Sequence, residues 1–355
     1  MVGLNDIVIT GIGCVTPLGI GYEVFRRALL EGRCAIRRYV TLSDPSRTTF
    51  YAARIDDFDG KQYVTPRKAL KVMGREVQLA YSSAHLAWQD AGLTDFTPVP
   101  ERVGVVYGTE MLPGDIADLQ PSIWSCVDDQ RMDHSQWGRS FSSHIFPLWM
   151  LKYLPNMPAC HVGIAVDARG PNNSLAIEEA SGLLALGEAA SIIRRGAADL
   201  MIVGACGART TPTRMMYRAP GMYDQHPDSP LANDESSTAQ LRSIPFDARR
   251  HGIVPSEGAV TLIIESRSHA MQRGAKILAV LVGHSSRYGR PAHHYGGSRT
   301  ALVNAARDCL SQAEIAADDL AHISAQGFSE EITDIAEAEA IAQIAQDVPV
   351  TAFSS

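Results

Sequence analysis

The stretch His161–Cys206, HVGIAVDARGPNNSLAIEEASGLLALGEAASIIRRGAADLMIVGAC, leaves few folds open to the chain. Its apolar run Val162–Val166 has the length of a strand, and a loop at Arg169-Gly170-Pro171-Asn172-Asn173 follows. Helical periodicity then runs from Glu179 to Arg195, with Leu183, Leu184, Leu186, Ala190 and Ile193 on the expected inward stripe. Arg194 and Arg195 complement the negative helix end, Gly196 supplies the residue past the cap, and Leu200–Val203 makes the next strand. Strand, loop, buried helix and strand in that order specify an α/β layer architecture. The start of such a helix is where an α/β enzyme places a reactive group. Its N–H groups have no intrahelical partner and carry roughly half a positive charge, which stabilises a thiolate, oxyanion or carboxylate. Here the position holds Glu178 and Glu179.

The flanking chain fits the same class. Ile7–Val15 reads as a strand closed by Thr16-Pro17-Leu18-Gly19, and Tyr22–Glu31 as a helix ended by Gly32. Gly11, Gly13 and Gly19 lack G-x-G-x-x-G spacing and Pro17 interrupts them, so they are structural and not a dinucleotide cradle. Arg38–Val64 is polar and irregular. Glu76–Ala91 is an amphipathic helix with Leu79, Ser83, Leu86 and Ala87 on one side, and Arg102–Tyr107 is a strand. The excursion from Glu110 to Pro158 carries Trp124, Trp137 and Trp149, the composition of a mouth or an interface. Thr210–Ser243, rich in Pro, Asp, Ser and Thr, is expected to be an exposed connection between a half at 1–243 and a half at 244–355. The second half repeats the α/β order, with strands at Val260–Glu265, Ile277–Gly283, Ala321–Ser324 and Val348–Phe353 and helices at Arg299–Leu310 and Asp334–Ile344. That order predicts a duplication at the level of structure.

Charge and cysteine usage remove several classes of function. Lys+Arg 32 against Asp+Glu 39 gives −7, with the basic residues dispersed, which argues against nucleic acid or an anionic membrane as partner. The 6 cysteines contain no C-x-x-C pair, so neither a zinc site nor a disulfide framework is indicated, and a reducing cytoplasm is expected. The start MVGLNDIVITGIG has no basic n-region, and no uncharged apolar run is long enough to span a bilayer. Adjacent His293 and His294 diverge on most backbones and have no third ligand in register, so no metal is expected, nor any cofactor.

VITGIGCVTPLG, GPNNS with the helix after it, IRRGAADLMIVGA, PFDARRHGIVPSEGA and LAHISAQG, in this order, resemble the β-ketoacyl-acyl-carrier-protein synthases of fatty-acid and polyketide assembly. The resemblance implies the thiolase fold, two similar α/β halves in a five-layer α-β-α-β-α arrangement, and a dimer joined through the central sheet. It also implies an acyl chain and an acyl carrier protein as partners. Members of the family take an acyl chain as thioester on a cysteine at the helix N-terminus. Two histidines then help decarboxylate malonyl-carrier protein, and the carbanion attacks the thioester. Carried over by motif, the cysteine position falls on Glu179 within Glu178-Glu179-Ala180-Ser181. The acids Asp334 and Glu337 place the first histidine position on Gln326, and the family lysine falls on Ser354. The second histidine would lie beyond Ser355. Further elements normally follow the Pro-Val strand, so a truncated sequence is expected. By the same resemblance Asp247, Arg250 and Glu257 hold loops rather than react.

A carboxylate is a far poorer acyl acceptor than a thiolate, its anhydride would hydrolyse, and an amide cannot shuttle protons near neutral pH. The expected function is therefore that of a non-catalytic subunit of the chain-length-factor type, paired with an active ketosynthase, although such subunits usually carry Gln where this chain has Glu179. Two alternatives stand beside it. One is a divergent acyltransferase or malonyl decarboxylase using Glu179, and the other a homodimeric acyl- or carrier-protein-binding module.

Overall fold

A computed structural model describes residues 6–40, 49–110, 114–210, 215, 243–290 and 297–352. Its strands are β1 (Ile7–Thr16), β2 (Gly19–Ile20), β3 (Arg37–Val40), β4 (Thr49–Ala52), β5 (Val103–Thr109), β6 (Val127–Asp128), β7 (Arg131–Met132), β8 (Asn172–Ala176), β9 (Leu200–Ala208), β10 (Glu257–Ser266), β11 (Ala279–Leu281), β12 (Ile323–Ala325) and β13 (Val350–Ala352). Its α-helices are α1 (Tyr22–Leu30), α2 (Arg75–Asp90), α3 (Ile116–Trp124), α4 (Trp137–His144), α5 (Met157–Ala165), α6 (Ser181–Arg194), α7 (Arg267–Gln272), α8 (Arg299–Ala313) and α9 (Glu331–Ile344).

One mixed sheet dominates, in the order β11-β1-β10-β9-β5-β8, with β2 folded back on β1. β9, β5 and β8 run parallel, while β1 and β10 are antiparallel to their neighbours. Strand alternation sends β9 side chains to two different cores. Leu200 and Ile202 pack with Ala80, Ala84, Val105, Tyr107 and Val162 under α2 and α5, whereas Met201 and Val203 pack with Ala185, Ala189, Ile192 and Ile193 of α6. The sheet thus carries helices on both faces, as the α/β expectation requires. β10 and β11, although late in sequence, belong to this sheet, and the parallel pair β12–β13 with α8 and α9 forms the second α/β unit.

Two local expectations are corrected. Val162–Val166 is not a strand: it lies within and just after α5, whose first turn carries Pro158, where proline is well tolerated. A continuous apolar run cannot separate a buried strand from a buried helix. The strand is instead Asn172–Ala176, whose asparagines and serine disguised it. On α6 the inward stripe is shifted. Leu183 is 76% exposed, and the buried face is built from Ser181, Ala185, Gly187, Ala189, Ala190, Ile192 and Ile193. Small residues lie inward because the helix sits almost on the sheet. A Cβ at Gly108 would lie 2.4 Å from the Ser181 carbonyl carbon, and one at Gly182 2.9 Å from the Ala205 methyl.

The excursion after β5 is held by a row of rings, Trp137, Phe141, Trp149 and Tyr153, with centroids 5.7, 6.0 and 5.7 Å apart. It also exposes large apolar side chains, Ile116, Trp124, Phe146, Leu148 and Met150 among them. Most of Thr210–Ser243, with His293 and His294, lies outside the described residues.

Candidate functional site

The site forms where β5, β8 and β9 end beside the first turn of α6. Parallel strands deliver their C-terminal ends to one edge, the usual location of ligand sites in α/β sheets. After β8 the chain turns through Glu178, at φ 55°, a left-handed conformation uncommon for a residue with a Cβ. Ser181 anchors the helix start: its hydroxyl donates to the Thr109 carbonyl at 2.8 Å and accepts from the Ile177 N–H at 2.7 Å. The first turn of α6 is thereby tied to the ends of β5 and β8, and Glu179 is set immediately before it.

Glu179 is paired. Arg209, directly after β9, donates through Nη1 to Glu179 Oε1 at 2.5 Å and through Nε to Glu110 Oε2 at 2.5 Å. Glu110 directly follows β5, so one guanidinium bridges two carboxylates across neighbouring strand ends. The three side chains are 13–25% exposed, which places the charges largely out of water and strengthens their attraction. Sequence pattern alone pointed to neither Arg209 nor Glu110. The available signal was a charged residue directly after each of two parallel apolar strands.

Cys206, on β9, is no substitute nucleophile. Its side chain belongs to the α2 side of the sheet, opposite α6. Burial first, and the Glu110 charge second, push its thiol far above the ordinary range, so it stays protonated. Burial likewise raises Cys14 to about 11.

Gln326 lies in a second cluster, in the turn after β12. Its N–H donates to Glu337 Oε1 at 2.7 Å, and the Gly327 N–H donates to Glu337 Oε2 at 2.9 Å. Asp334, 1% exposed, accepts from the Phe328 N–H at 2.8 Å and the Phe246 N–H at 2.9 Å, with Arg250 Nε 3.6 Å away. The two acids therefore act as backbone clamps that shape the Gln326 turn and join it to the 244–250 segment. Loop-holding extends to Glu257, which binds Arg75 through both oxygens and accepts from the Ile55 N–H at 2.8 Å. Asp247 pairs with Arg249. Ser354 lies outside the described residues.

Comparison with known proteins bears directly on this arrangement. The profile of the β-ketoacyl synthase N-terminal domain matches residues 4–270, and that of the C-terminal domain residues 278–354. The chain belongs to the β-ketoacyl synthase family. It is 31% identical over 340 residues to 3-oxoacyl-[acyl-carrier-protein] synthase 2 of Coxiella burnetii, covering 94% of this chain and 76% of that protein. Among solved structures, a chain of the AntDE:AntF complex, a type II PKS acyl-carrier protein in complex with its ketosynthase bound to the hexaketide, matches with a TM-score of 0.78 at 25% identity, over 98% of this chain and 81% of that one. The ishigamide ketosynthase/chain length factor superposes with a TM-score of 0.79 at 22% identity, over 98% and 79%, a likeness of fold. The β-ketoacyl synthase resemblance and the thiolase fold both hold.

Proposed function

We propose that this β-ketoacyl synthase homologue is a non-catalytic, chain-length-factor-type subunit that pairs with an active β-ketoacyl-ACP synthase in fatty-acid or polyketide chain building. The observation that carries the reading is the 2.5 Å bond from Arg209 to Glu179 at the family's nucleophile position. A carboxylate held by a guanidinium at one oxygen is a charge already balanced, and acylating it would neutralise that charge and break the pair in a largely buried site. Gln326, at the first histidine position, supplies an amide where the family's decarboxylation uses an imidazole. Ser354, at the lysine position, is read as a third departure.

The same reading takes the acyl carrier protein and its acyl chain as partners, a cytoplasmic location and no cofactor, with the chain divided into halves near residue 243. Among the described residues no helix is long and apolar enough to cross a membrane. The apolar side chains exposed on the excursion, with the edge strand β8, offer a surface for a ketosynthase subunit.

The test uses the full chain with malonyl-carrier protein, alone and with a co-purified candidate ketosynthase. The chain alone is expected to give no carbon dioxide and no acyl-protein, and to change product length only when paired. Carbon dioxide released by the chain alone, and lost in Glu179→Gln, would establish the decarboxylase alternative in its place.

A further inference from the structure

A cavity of about 180 Å³ opens between α2 and α5, on the face of the sheet opposite α6 and the Glu179 site. Its walls come from two helical registers. Tyr81, Ala84, His85 and Trp88 line it from α2, and Val162, Ala165 and Val166 from α5 and its C-terminal residue, with Ile202 of β9 as floor. Ala84 and Ala165 contribute only a methyl group each to its lining, so a larger side chain at either position would take up part of the space. Val162 and Ile202 are each 1% exposed, so the floor belongs to the buried core.

The polar groups around this space have distinct states. The Tyr81 hydroxyl is committed to the Thr65 backbone, donating to its carbonyl at 3.1 Å, which fixes the phenol ring as a wall. His85 is exposed at the mouth, edge-on to Tyr63 with centroids 6.2 Å apart. Burial lowers its pKa, so near neutral pH the ring is uncharged and offers one donor and one acceptor nitrogen. The result is a slot of apolar and aromatic walls with the uncharged His85 among the hydrogen-bonding groups around it, a composition suited to a small molecule. An apolar cavity of about 150 Å³ stays dry and accepts benzene, so this one is large enough for a single ring.

We propose that the cleft between α2 and α5 is a binding site for a single-ring aromatic, or equally compact apolar group, bearing one hydroxyl that meets His85. The site lies across the sheet from Glu179 and does not depend on the non-catalytic reading.

Phenol and toluene are the probes, titrated into the full chain by saturation-transfer NMR and calorimetry. Phenol is expected to bind at least tenfold tighter than toluene. Ala84→Leu and, from the opposite wall, Ala165→Leu should each weaken phenol at least tenfold while urea unfolding remains cooperative. His85→Phe should bring phenol and toluene to equal affinity. Two results would overturn the proposal: no saturable phenol binding to the wild type, or phenol affinity unchanged in both folded leucine variants. Reading both variants keeps the test decisive if one of them fails to fold.

Discussion

Glu265 offers a quantitative test of the packing that holds the central sheet. It lies near the end of β10 at 0% exposure and accepts from Arg273 at 2.8 and 2.5 Å, from His269 Nδ1 at 2.6 Å and from the Thr10 hydroxyl. Burial alone would raise this carboxyl, but the bonds from Arg273, His269 and Thr10 outweigh it and hold the group at about 2 against an ordinary 4.5. The folded value is depressed, so the associated stability is fully present above 4.5 and is lost as pH falls toward 2. The gap corresponds to about 3 kcal/mol at neutral pH, of which roughly 2 kcal/mol is gone by pH 3. Glu265→Gln leaves Arg273, 4% exposed, as a buried cation without its counter-charge, a loss of about 3–5 kcal/mol. Urea unfolding of wild type and variant at pH 7 and pH 3 isolates this group, because the other carboxylates cancel in the difference. The difference should shrink by roughly 2 kcal/mol at pH 3. A difference that stays constant with pH would refute the argument that Glu265 is ionised inside the fold.

Three further outcomes are expected. In Glu179→Cys the new thiol should be alkylated by iodoacetamide ahead of Cys14 and Cys206, and its pH midpoint should rise by about one unit or more when Arg209→Met is added; an unmoved midpoint would mean that Arg209 does not contact this position. Gly108→Ala places a methyl against the Ser181 and Gly182 backbone, which cannot yield as a side chain would, and should cost about 1–3 kcal/mol or more in urea unfolding. Asp334→Ala strips the acceptor from the Phe246 and Phe328 amides and should lower stability by about 3 kcal/mol with faster hydrogen exchange at both, whereas unchanged exchange would deny the clamp.

The parts of the molecule legible in the sequence were those whose signals are local. The β1, α2, β5 and β9 segments each combine an apolar period with a Gly or Arg boundary, and they appear within a few residues of where the pattern placed them. What escaped depends on neighbours. The α5 segment reads as a strand because its apolar residues are continuous, and only its packing against α2 and the sheet makes it a helix. Leu183 reads as core because hydropathy ranks it above Ala185 and Ala189, yet Gly108 and Gly182 draw the small-residue face of α6 onto β5 and β9 and turn Leu183 outward. At the site, Glu179 and Gln326 were found by motif, but the Arg209–Glu110 bridge was not, because it joins residues 99 apart in sequence through the pairing of β5 with β9.

That bridge changes the meaning of the glutamate. Were Arg209 removed, Glu179, three-quarters buried and near the acid at the end of β5, would face both desolvation and like-charge repulsion, and an isolated substitution of that kind is destabilising. With Arg209 between the two carboxylates, a change at Arg209 removes a counter-charge from both strand ends at once. The start of the helix, where an anion is favoured, here carries the side chain that pairs with Arg209. Acylation at either oxygen would neutralise Glu179, so a nucleophilic role would cost the charge that meets Arg209 at Oε1.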